Sequence, residues 1–179
     1  MRKGRTSCIG GLIPKFIVFA IVLMLMVGCS HSGSSSKDSD ENVKTIQIYL
    51  EKEFTGPNEE LRKVLEQDDP YPPELEAYLE ENYKPLVSDL EDIVNANYVL
   101  AFLRFAYENG YQLQPINIDI QKIKNTQNNA YNYEVKVEYS KDSETNTATI
   151  TGRVNLNDNG KISTIRNMDD DGLLEKMRK

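Results

Sequence analysis

The sequence predicts an α+β domain in which N-terminal helices pack on a four-stranded antiparallel sheet. Two periodic stretches predict it. Apolar residues recur at helical spacing between residues 43 and 109, and the period then falls to two over the next fifty residues. The third observation concerns connections: each alternating run joins the next through a short polar loop, which favours an antiparallel meander with one wet face. The helices must then cover the other face.

The helical half divides at its breakers. Val43, Ile46, Leu50 and Phe54 define a first amphipathic helix, stopped by Thr55, Gly56 and Pro57. Pro57 is suited to open a second over 58–67, with Leu61, Val64 and Leu65 inward. Residues 68–73 (DDPYPP) read as a loop, and Leu75, Tyr78, Leu79 and Tyr83 mark a third, short helix. Ser88 and Glu91 match a capping box. It should begin the longest helix, carrying Leu90, Ile93, Val94, Tyr98, Ala101, Phe102 and Phe105 inward and ending at Asn109 and Gly110.

The strand half follows. Ile116, Ile118 and Ile120 alternate with polar residues, as do Tyr131, Tyr133, Val135, Val137 and Tyr139. Ala148, Ile150, Val154 and Leu156 make a third strand with a bulge expected at Gly152. Asp158, Asn159 and Gly160 turn the chain into a fourth strand beginning at Lys161. A short helix is expected over 173–178.

Helices followed by a curved antiparallel sheet that ends in a hairpin such as 156–162 (LNDNGKI) resemble the NTF2-like, or cystatin-like, superfamily. The resemblance spans residues 43–166 at the level of element order. It implies a cone with a pocket between sheet and helices. Some members are isomerases or dehydratases with an Asp or a His–Asp pair in the cone, and many only bind or assemble. Several small Gram-positive lipoproteins look similar. On this resemblance, Tyr98, Phe102, Tyr131, Tyr133 and Tyr139 become candidates to line a pocket, with hydroxyls to orient an apolar guest.

The first thirty residues carry a different message. Arg2, Lys3, Arg5 and Lys15 precede an uninterrupted apolar run, 16–27 (FIVFAIVLMLMV). Twelve helical residues reach roughly 18 Å, short of the ~30 Å hydrocarbon core, which reads as an export signal rather than a stable span. The next residues, Met26, Val27, Gly28 and Cys29, resemble the bacterial lipobox. The resemblance implies a diacylglyceryl thioether on Cys29 and cleavage between Gly28 and Cys29. Two long acyl chains on one residue hold a protein at a membrane essentially permanently. The expected organisation is a lipoprotein signal peptide over 1–28, a lipidated cysteine with a flexible tether over 29–42, and one α+β domain over 43–179. The tether (30–42, SHSGSSSKDSDEN) contains no large apolar residue and should behave as coil, spanning about 20 Å.

Charge and residue inventory narrow the function. Four of the 21 Lys and Arg precede Cys29 and none of the 28 Asp and Glu does. The remainder therefore carries 17 basic against 28 acidic groups, a net −11. Such a surface argues against nucleic acid as a partner. Cys8 falls in the discarded segment, so lipid occupies the last thiol, and the sole histidine, His31, lies in the tether. No disulfide, thiol nucleophile or serine–histidine pair can then be built in the domain. Asp119 sits on the polar side of its strand and would serve as a base only if that face lined a pocket. Asn155, Asn157, Asn159 and Gly160 mimic part of a calcium loop, but its twelfth position is Arg166 rather than a glutamate. Residues 169–172 (DDDG) read as a solvated acidic turn. The expectation is a non-enzymatic binding or assembly module without cofactor or metal, on the extracytoplasmic face of the cell membrane. Its partner would be another envelope protein or a small apolar ligand. The alternatives are a small isomerase-like enzyme and a scaffold subunit of a secretion or conjugation machine.

Overall fold

In a computed structural model, residues 34–69, 71–124 and 129–178 are described, all but Ser34 within one compact unit spanning Ser35–Lys179. Cys29, Gly28, the apolar run and His31 lie outside the described residues. Among the described residues five helices come first: α1 (Ser34–Phe54), α2 (Glu59–Leu65), α3 (Pro73–Asn82), α4 (Leu90–Asn95) and α5 (Ala101–Asn109). Strands β1 (Gln112–Lys122), β2 (Asn129–Lys141), β3 (Glu144–Leu156) and β4 (Ile162–Asp169) follow, and a single turn of helix, α6 (Leu173–Lys176), closes the described chain. The sheet has the order β1-β2-β3-β4 with every pair antiparallel. The α+β arrangement is the one expected.

Alternation organises the sheet. On β2, Tyr131, Tyr133, Val135, Val137 and Tyr139 are buried, while Asn132, Glu134 and Lys136 are exposed. β3 buries Ala148, Ile150, Val154 and Leu156. Asp142 and Ser143 both adopt positive φ, 49° and 74°, which is the twist a two-residue hairpin between β2 and β3 requires. Gly152 sits at the register shift between β3 and β4, where a bulge was expected. It has a second purpose: a Cβ there would lie 2.4 Å from the Tyr133 hydroxyl, so the missing side chain makes room for that ring.

β1 departs from its expected pattern. Its register slips between Pro115 and Asn117, which turns Ile116 outward to 48 % exposure and leaves Ile118 and Ile120 only half-buried. Leu113 anchors the strand instead, exchanging two backbone hydrogen bonds with Gly56, 3.0 and 2.7 Å, in the link after α1.

The helical layer differs more. α1 begins at Ser34, nine residues before the expected start, so much of the stretch read as coil is helix. At Asn42 this extension meets the core: the residue is 5 % exposed and its amide donates to the Tyr131 hydroxyl at 3.4 Å, tying the helix to β2. The second helix is shorter than 58–67, and Asn58 caps it by accepting from the Leu61 amide at 2.8 Å. The long helix expected after Ser88 is two short ones. Its cap is Asp89, which accepts from the Asp92 amide at 3.1 Å. Ser88 precedes the cap, and its own amide donates to Ile162 O beside the sheet. Asn97 and Leu100 at φ 57° and 61° break the helix between α4 and α5. α6 likewise ends at Lys176, short of residue 178.

The two layers share one core. Ile46, Leu50 and Phe54 of α1 and Tyr83, Leu100, Phe102 and Leu103 join the inward residues of β2 and β3 in a single apolar cluster. None of the helices among the described residues is long and apolar enough to cross a membrane.

Candidate functional site

Glu53 lies at the centre of that core, and the period of α1 puts it there. Ile46, Tyr49, Leu50, Glu53 and Phe54 fall at i, i+3, i+4, i+7 and i+8, so one face carries all five inward. Glu53 is 3 % exposed. Its two carboxylate oxygens accept from the Leu100 amide at 3.0 and 3.1 Å, and the Tyr83 hydroxyl, which donates to the Lys52 carbonyl at 3.4 Å, lies beside it. Leu100 is the N-cap residue of α5 and has no side-chain oxygen, so a residue 47 positions away supplies the acceptor that its amide needs.

None of these partners is cationic. Burial pushes the Glu53 carboxyl up to about 7, against the pull of the Leu100 amide and the Tyr83 hydroxyl. The surrounding phenols respond to the same environment. Burial first, then nearby Glu53 and neighbouring tyrosines, raises Tyr49 and Tyr83; burial, then Tyr98 and Glu53, raises Tyr133. Tyr49 donates to the Tyr98 carbonyl and meets Tyr83 edge to face at 6.3 Å. This cluster holds a proton near neutrality. Tyr49 and Tyr83 are at or below 1 % exposure; Tyr133 is 4 % exposed and, with Gly152, borders a groove over the sheet.

The five aromatic candidates do not meet in one place. Tyr98 and Tyr133 belong to the Glu53 cluster. Phe102 stacks beside Phe54 with centroids 5.0 Å apart. Tyr131 lies under the beginning of α1 and Tyr139 at the far end of β2, against Tyr111 at 5.9 Å. Eight strand residues at about 3.3 Å each separate Tyr131 from Tyr139 by roughly 26 Å. Phe102, Tyr131, Tyr133 and Tyr139 are buried and Tyr98 is half-buried.

The sheet's other face is open. A groove of about 550 Å³ runs over β1, β2 and β3 and is lined by Asp119, Gln121, Asn132, Glu134, Thr151 and Arg153. Strand register sorts its charges into rows. Asp119 faces Glu134, Glu134 faces Thr151, and Thr151 faces Asp169. Two residues along, Gln121, Asn132, Arg153 and Arg166 make the next row. Both rows set like charges opposite one another, a pairing that costs a sheet stability. Asp119 is exposed and accepts from Gln121 at 2.8 Å.

The remaining candidates resolve as turns. Asn157 accepts from the Asn159 and Lys161 amides, both at 3.0 Å, inside the β3–β4 hairpin. Asp170 accepts from Gly172 and Leu174 at the start of α6, and Asp171 is held below its usual range by its hydrogen bond from Lys176. Among the described residues no three histidine, cysteine or acidic side chains are grouped to hold a metal ion.

Sequence reasoning overlooked Glu53 and Asn42. Both occupy the apolar face of α1, where a polar residue at helical register with Ile46 is the signal of a buried, partnered group.

No family model and no curated protein matches this sequence. Among solved structures, the chain is similar to the solution structure of TraH, named as a transfer protein of the Gram-positive conjugative plasmid pIP501. The TM-score is 0.48 at 12 % identity, over 70 % of this chain and 90 % of that one.

Proposed function

We propose that this chain is a lipid-anchored extracytoplasmic lipoprotein whose folded domain binds or assembles with a partner and performs no catalysis. The anchor rests on Cys29 and the small and apolar residues before it. The observation that carries the binding role is the contrast between the closed interior and the open sheet face. The carboxyl tuned near neutrality, Glu53, is sealed among tyrosine rings. The carboxylates that line the open groove, Asp119 and Glu134, are exposed to water, the ordinary condition of recognition groups. Two like-charged cross-strand pairs left opposed on one face are tolerable where a partner supplies the neutralising charge. The partner would be another envelope protein, and a scaffold role in a secretion or conjugation machine is one form that assembly could take.

Intact mass of the membrane-extracted protein tests the anchor. Wild type should carry a lipid increment on a chain starting at Cys29, and Cys29→Ala should lose both that mass and membrane retention. A wild-type protein recovered unmodified in the soluble fraction overturns the anchored reading. Affinity capture from native membranes tests the binding role: a stoichiometric partner lost from Glu134→Lys supports it, and its absence sinks it.

A further inference from the structure

Another open concavity lies between α3 and α4, away from the sheet. Its volume is about 460 Å³. The floor is apolar: Leu75 and Leu79 come from α3, Leu90 and Val94 from α4. Leu90 and Val94 are left half-buried, although each sits on the inward stripe of its helix. At one end stands Tyr71, which is 72 % exposed. Its amide donates to Asp69 at 2.9 Å, and the Arg104 guanidinium lies 5.9 Å from its ring centroid. An exposed tyrosine beside an apolar floor supplies the large amphipathic ring that interface anchors use.

The rim is acidic on both sides. Glu76 and Glu80 stand along α3 and Glu91 along α4, all exposed. Glu80 is paired with Lys84, and among the described residues neither Glu76 nor Glu91 has an ion-pair partner. Apolar floor and flanking carboxylates call for an occupant with the inverse pattern. An amphipathic helix supplies it: an apolar stripe at i, i+3, i+4 and i+7 for the floor, with Lys or Arg on both shoulders. The net −11 charge of the chain from Cys29 onward would steer such a helix toward it.

We propose that the α3–α4 groove is a docking site for a basic amphipathic helix of a partner protein, with Tyr71, Leu90 and Val94 as its apolar contacts and Glu76 and Glu91 as its charge contacts. The inference goes beyond the sheet-face reading by adding a second contact surface to the binding module, on which it rests.

The test uses the full chain in nanodiscs of neutral phosphatidylcholine, with empty nanodiscs as the blank. The probe is a fluorescent fourteen-residue peptide with a leucine stripe and lysines elsewhere. Its controls are the same composition with the stripe scrambled and the same stripe with glutamates for lysines. Saturable binding of the striped lysine peptide alone is expected, weakened roughly tenfold by Val94→Asp and by the Glu76→Lys, Glu91→Lys pair. Asp158→Lys in the β3–β4 hairpin, an exposed carboxylate outside both grooves, should change it less than about twofold. Circular dichroism and thermal melts of each variant exclude unfolding, and Glu91→Gln is the milder substitute if the double variant is unstable. Equal binding of the scrambled peptide, or equal loss from Asp158→Lys, would show general charge attraction and overturn the proposal. Failure here while native capture still depends on Glu134 removes the groove and leaves the binding module standing; failure of both removes both.

Discussion

The sheet and the helical layer of this protein meet in one core but are specified in different ways. On β2 and β3 nearly every inward residue is apolar and every second residue is inward, so backbone pleat and side-chain chemistry agree. The helices instead reach the core with two polar groups, Asn42 and Glu53, and with a break at Ala96–Leu100 where Leu100 holds a left-handed φ of 61°. A sheet is held by its own ladder. This helical layer is held by bonds that cross between elements: Asn42 to Tyr131, Glu53 to Leu100, Tyr49 to the Tyr98 carbonyl. Regularity is therefore local in one half and tertiary in the other.

The comparison predicts that neither layer is stable alone. Ile46 of α1 and Ile150 of β3 are both fully buried in the same cluster. Truncation of either to alanine should cost about 2–5 kcal/mol, with a single urea transition and an unchanged slope in both variants. Far-UV and tyrosine-fluorescence transitions should coincide. If Ile46→Ala lost helix in one step and kept the sheet to higher urea, the shared core would be the wrong description.

That same difference governs what could be read from the sequence. Tyr131 to Tyr139 announce their strand and its faces, because a period of two needs only local information. The expected helix from Leu90 to Phe105 fails for the opposite reason. Its apolar spacing is genuine, yet Asn97 and Leu100 turn to positive φ, and the Leu100 amide donates to Glu53, 47 residues away, rather than to a helical carbonyl. The coil reading of 34–42 fails because Asn42 is stabilised by Tyr131, which no local pattern can announce. Ile116 misleads in a smaller way, since one register slip turns it outward. The open groove was half legible: Asp119 was placed on the polar face, but the opposed rows depend on strand register.

Titration of Glu53 is the second way to press the comparison, because a proton is part of the helical layer's packing and no part of the sheet's. Its folded value is about 7 against an ordinary 4.5. Between those values the folded chain holds a proton that the unfolded chain has lost, so the stabilising contribution is complete below pH 4.5 and declines as pH rises through 7. The loss is on the order of 3 kcal/mol by pH 9. Glu53→Gln mimics the protonated acid and keeps one oxygen for the Leu100 amide. Wild type and variant should be nearly equal in urea at pH 5, with the variant the more stable at pH 9. An unchanged fall in stability between pH 5 and 9 would place the titrating group elsewhere.

The smallest effect separates two neighbouring residues at the entrance to α4. A capping box read from the sequence assigns the cap to Ser88, whereas the observed acceptor for the Asp92 amide is the Asp89 carboxylate at 3.1 Å. Ser88 is exposed, and it is tied to Ile162 O by its backbone amide, at 2.8 Å. Replacing Ser88 by alanine keeps that amide and removes only a hydroxyl, so its cost should stay within about 0.5 kcal/mol. Asp89→Ala removes the cap and the negative charge at the helix N-terminus, worth about 1 kcal/mol. Chemical denaturation at pH 7 resolves the two. Should Ser88→Ala prove the more costly, the helix would start where its sequence suggests, and the sheet would have no part in setting the helical boundaries.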